Sequence, residues 1–101
     1  MSSKKKTVRQ EVLELATRYV TADRQATHGK PEDTFGLISQ YWSNYLGKTI
    51  GAHDVAAMMV LLKVARSQMN PTAFDNWIDM AGYAACGGEL AHEGLPASDV
   101  T

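Results

Sequence analysis

Two stretches decide how this chain folds: Phe74-Asp75-Asn76-Trp77-Ile78-Asp79-Met80-Ala81-Gly82-Tyr83, and, just before it, Leu61-Leu62-Lys63-Val64-Ala65-Arg66. Asp75 and Asp79 stand four residues apart, so a helix places both carboxylates on one face. Trp77, Ile78 and Ala81 beside them read as core. Lys63 and Arg66 interrupt an otherwise apolar run in the same way. Charges set at the edge of apolar stripes are costly to leave unpaired in a small helical protein. They either pair with one another across a helix hairpin or hold a ligand.

Working outward, the pattern is helical almost throughout. Val8, Val12, Leu15, Tyr19 and Val20 recur at helical spacing and predict a first helix from about Thr7 to about Ala26, with Glu14 and Arg18 spaced for a surface pair. Gly29 suits a left-handed helix end, and Pro31 can open the next helix, with Glu32 and Asp33 in its first turn. Phe35, Ile38, Tyr41, Trp42, Tyr45 and Leu46 form an aromatic stripe on that second helix, which stops at Gly47. A third helix is expected from His53 or Asp54 to Gln68. Its residues from Val55 to Ala65 leave no free polar face, the mark of a helix buried by neighbours or by another subunit. Asn70-Pro71 breaks it, and a fourth helix should run from about Thr72 to about His92, with small residues that allow close helix approach. The expected fold is all-α: a compact bundle of about four helices, oligomeric because one short chain cannot cover its third helix.

The chain has 101 residues, 45% of them hydrophobic and 21% charged, with a formal net charge of -1. That composition is ordinary for one globular domain and argues against nucleic acid as a partner. The domain should span residues 7–92, between a flexible basic N-terminus (1–6, with Lys4, Lys5 and Lys6) and a flexible tail (93–101). No apolar run approaches the roughly 20 residues a membrane helix needs, and no signal-peptide core follows the lysines, so a cytoplasmic location in a bacterial host cell is expected. Cys86 is the single cysteine. Set among Ala84, Ala85, Gly87 and Gly88, it reads as a packed residue with no histidine placed to activate it.

The polar residues offer two chemistries. Arg24, His28, Lys30, Lys63 and Arg66 are donors suited to phosphate, Arg as a fork and Lys as a point charge. The His28-Gly29 turn offers backbone amides to an anion at a helix start, and Trp42, Tyr45 or Tyr83 could stack on a base. Alternatively, Asp75 and Asp79, with the Glu11 and Glu14 pair of the first helix, could supply the hard oxygen ligands that magnesium prefers.

Acidic pairs on bundled helices resemble those of the MazG-like all-helical nucleotide pyrophosphohydrolases, which bind magnesium through glutamate pairs and a Glu-x-x-Asp step. Here the step reads Asn76-Trp77-Ile78-Asp79, with asparagine where the glutamate would fall. A broader resemblance runs along nearly the whole domain: Arg24, His28-Gly29-Lys30-Pro31-Glu32, Trp42, Tyr45-Leu46, Asp54-Val55-Ala56, Leu62-Lys63-Val64-Ala65-Arg66, Asp75-Asn76-Trp77-Ile78-Asp79 and Gly82-Tyr83. In this order they look like a family of small bacteriophage proteins carrying a domain of unknown function. The resemblance implies a nucleotide-related role. The expectation is an oligomeric, non-catalytic binder of a nucleotide or nucleotide-derived signal, with a sponge against bacterial immune signalling as its natural extension, and with Arg24, His28, Lys30, Lys63, Arg66, Asp75, Asp79 and Tyr83 as ligand residues and no cofactor. The alternatives are a magnesium-dependent pyrophosphohydrolase using Asp75, Asp79, Glu11 and Glu14, and a structural or protein-interaction module.

Overall fold

The computed structural model describes residues 5–23 and 31–92, and every described element is helical. Helix α1 spans Val8–Arg18 and runs into a π-helical turn at Tyr19–Asp23; α2 spans Pro31–Leu46, α3 Ala52–Met69 and α4 Phe74–Ala91. The expected positions of Arg24, His28, Gly29 and Lys30, and of the tail from residue 93, lie outside the described residues.

The helix starts follow local chemistry. Thr7 caps α1: its hydroxyl accepts from the Gln10 backbone N–H (3.1 Å), and the Gln10 side chain accepts from the Thr7 N–H (2.7 Å). At α3 the Gly51 N–H donates to Asp54 Oδ2 (2.9 Å). Gly47 has φ +64, which lets the chain leave α2 at no steric cost. The loop that follows is fastened by Ser43, whose hydroxyl accepts from the Ile50 N–H (2.8 Å) and donates to the Ile50 carbonyl (3.2 Å).

The α-helical part of the first helix ends at Arg18, and a π-helical turn carries it on to Asp23. Thr17 and Thr21 both turn their hydroxyls back onto carbonyls four residues earlier, Leu13 and Thr17, at 2.8 and 2.6 Å. Such back-bonding competes with the regular ladder, and here the helix widens into the π turn. The widened turn seats Val20 against α4, where a Cβ added at Gly82 would lie 3.2 Å from Val20 Cγ1.

The closest packing is the antiparallel α3–α4 hairpin; α1 lies on α4, α2 lies on α3, and α1 and α2 make little contact with each other. The core gathers Phe35, Val55, Ala56, Cys86 and Leu90, flanked by Val20, Trp42, Met59 and Tyr83. Val55 and Ile78 are fully buried, and each such side chain contributes about 1.5–3 kcal/mol of transfer free energy. One expectation needs correcting. Trp77 is not core: it is 45% exposed, with its indole N–H donating to the Pro71 carbonyl (2.9 Å) across the hairpin turn. Along α3, Met58, Leu61 and Leu62 remain exposed, in keeping with a helix apolar all round that one short chain does not cover.

Candidate functional site

The α3–α4 hairpin is held in register at two levels. Near its open end, a Cβ added at Gly87 would meet Ala56 Cβ at 3.1 Å, so only glycine permits this approach of the two helices. Seven residues on along α3 and eight back along α4, about two turns of each helix, Lys63 Nζ lies 2.9 Å from Asp79 Oδ2. The two side chains are 13% and 20% exposed. This is the pairing that their placement in apolar runs demands, since neither charge is well solvated there.

The second half of the expected quartet behaves differently. Arg66, three residues beyond Lys63, and Asp75, four before Asp79, are both exposed and form no ion pair with each other or with any described residue. The hairpin thus presents a locked ion pair beside one open cation and one open anion. Ser67 and Asn76 are buried at the same end of the hairpin, the Ser67 hydroxyl donating to the Val64 carbonyl (2.7 Å).

Among the described residues, the remaining expected ligand and metal residues do not converge on the quartet. Tyr83 packs in the core against Phe35, ring centroids 6.1 Å apart. Glu11 and Glu14 are exposed on α1, and Glu14 pairs with Lys6 at 3.1 Å rather than with Arg18. Among the described residues no three His, Cys, Asp or Glu side chains stand close enough together to hold a metal ion. Of the aromatics that could stack on a base, Trp42 packs against the core and Tyr45 is 89% exposed.

Sequence reasoning missed one further feature. A shallow polar groove of about 530 Å³ lies along the end of α2 and the α2–α3 loop, lined by Ser39, Gln40, Ser43, Asn44, Gly47, Lys48, Thr49 and Ile50. Ser39, Ser43 and Gly47 recur every four residues, a stripe of small and polar residues beside the aromatic one. Its single cation is Lys48.

Fold and site together define an all-helical domain with a charged quartet on its central hairpin and no described helix long and apolar enough to cross a membrane. The chain belongs to the family described as domain of unknown function DUF6378, whose model matches residues 11–91. It is similar to the Gene 55 protein of Mycobacterium phage D29, 39% identical over 77 residues, covering 76% of this chain and 51% of the relative. It is also similar to the Gene 55 protein of Mycobacterium phage L5, 34% identical over 74 residues, covering 72% and 47% respectively. The chain spans about half the length of these curated relatives. No solved structure matches it.

Proposed function

We propose that this domain binds a phosphate-bearing nucleotide or nucleotide-derived signal at the α3–α4 hairpin and does not turn it over. The observation that carries the reading is the Lys63–Asp79 pair, locked at 2.9 Å and largely withdrawn from solvent in the hairpin, with Arg66 and Asp75 left open beside it. A buried ion pair is a weak route to stability, because apolar residues of similar volume serve as well or better. Its presence is better accounted for by a ligand. In this reading Arg66 takes a phosphate through its guanidinium fork, Lys63 adds a fixed positive charge at the same end, and Asp75 accepts from a sugar hydroxyl or a base amine. In a phage protein, holding such a molecule without consuming it lowers its free concentration in the host, which is how a sponge for immune signalling nucleotides would act.

The test is a thermal-shift and calorimetric survey of mono-, di- and triphosphates and cyclic dinucleotides, each with and without magnesium, with pyrophosphate and phosphate release followed in parallel. Saturable binding that survives chelation of magnesium, with no release, supports the proposal. Magnesium-dependent release of pyrophosphate, lost in Asp75→Ala and Glu14→Ala, would instead identify a MazG-like pyrophosphohydrolase. No binding to any compound at millimolar concentration would leave the protein-interaction reading in its place.

A further inference from the structure

On α3 the residues Ala57, Met58, Leu61, Leu62, Ala65 and Met69 follow the three-and-four spacing of a single helix face. All six are exposed: Leu61 by 65%, Leu62 by 41%, Met58 by 39% and Met69 by 87%. No charged residue falls within the stripe. The opposite side of α3 carries Val55, Ala56 and Ser67, which are buried, and Lys63, which reaches Asp79 on α4. With α2 and α4 taking that buried side, no other described helix packs extensively on the stripe. A continuous apolar face on a central helix is the mark of an interaction surface rather than of ordinary surface scatter.

We infer that this face docks against the same face of a second copy of the chain, with the two α3 helices antiparallel about a twofold axis near Leu61 and Leu62. The stripe is self-complementary in that arrangement, as a twofold interface requires. Leu61 of one copy meets Leu62 of the other at the centre, and on either side Met58 falls opposite the small Ala65. Charge selects the direction. The exposed Asp54 sits in the first turn of α3 and the exposed Arg66 in its last turn. An antiparallel pair brings the acidic start of each helix toward the basic end of the other, whereas a parallel pair would set Asp54 near Asp54 and Arg66 near Arg66. The association does not rest on the nucleotide reading, and Leu61 and Leu62 belong to no part of the ligand quartet.

The test is the molar mass in solution, by light scattering or sedimentation equilibrium, for the full chain and two variants. The wild type is expected to be a dimer at micromolar concentration. Leu61→Glu, a change at an exposed position, should give a folded monomer by circular dichroism, and Tyr45→Glu, on the exposed part of α2, should leave the dimer intact. Should Leu61→Glu fail to fold, an equimolar mixture of Leu61→Cys and Leu62→Cys proteins decides: mild oxidation should yield the mixed disulfide between position 61 of one copy and position 62 of the other, while Tyr45→Cys should give no cross-link. A monomeric wild type, a Leu61→Glu dimer, dissociation by Tyr45→Glu, or no mixed disulfide between Leu61→Cys and Leu62→Cys would each overturn the inference.

Discussion

Lys63 Nζ and Asp79 Oδ2 lie 2.9 Å apart between two helices, each side chain at most one-fifth exposed. The bond joins two closely packed helices, so it fixes their register as well as neutralising two charges. Asp79→Asn keeps the shape but leaves the ammonium without a counter-charge. Removing one partner of a buried pair costs about 3–5 kcal/mol, and the partial exposure here places the expectation at the lower end. Urea denaturation of Asp79→Asn should show this loss, and the double variant Lys63→Met with Asp79→Leu should recover most of it. A single variant as stable as wild type would show that water, not Asp79, solvates Lys63.

Glycines one residue apart on α4 should respond with opposite sign. At Gly87 an added methyl would stand 3.1 Å from Ala56 Cβ, an atom fixed to backbone, while at Gly88 it would meet nothing within 4 Å. Both sites are helical, so alanine brings the same propensity gain of about 0.5–1 kcal/mol. Gly88→Ala should therefore raise the melting temperature. Gly87→Ala has to push the helices apart and should lower it, as overpacking does. Equal shifts in the two variants would mean that the hairpin is looser than the Ala56–Gly87 approach implies.

Ser43 holds the α2–α3 connection by both accepting from and donating to the backbone of Ile50. Ser43→Ala leaves a half-buried N–H and carbonyl to find other partners, at a cost of about 1–2 kcal/mol. The loss should appear in equilibrium unfolding and in faster amide exchange at Ile50 than at Val55, one turn into α3.

The helical class, the breaks near Gly47 and Pro71, and the opposition of Lys63 to Asp79 were legible because each rests on local spacing. Apolar spacing places Ile78 inward whatever the tertiary detail. Trp77 misleads because a tryptophan in an apolar stretch is usually covered, whereas here its N–H reaches the Pro71 carbonyl and the ring bridges the turn at the surface. The π turn after Arg18 was illegible: it depends on threonine hydroxyls choosing backbone carbonyls and on Val20 finding Gly82, a long-range contact that no spacing encodes. For the same reason, the grouping of Glu11 and Glu14 with the α4 acids could be imagined from sequence but depends on helix placement. The third helix shows a further limit. Its pattern says that it needs cover on all sides, and only the packed chain tells which side goes without.

Arg66 offers the sharpest separation of binding from folding. It is exposed and forms no ion pair among the described residues, so Arg66→Ala should change stability by no more than about 0.5 kcal/mol. If its guanidinium receives a phosphate, the lost charge-assisted hydrogen bonds are worth about 1.5–3 kcal/mol, which corresponds to affinity weaker by roughly ten- to a hundredfold. Arg66→Lys should recover only part of it, because an ammonium cannot reproduce the bidentate fork. Calorimetric titration of a nucleotide that binds the wild type, with thermal melts of each variant alongside, measures both quantities. An unchanged dissociation constant in Arg66→Ala, at unchanged melting temperature, would remove the hairpin quartet from any ligand site and leave α3 as a surface for protein contact alone.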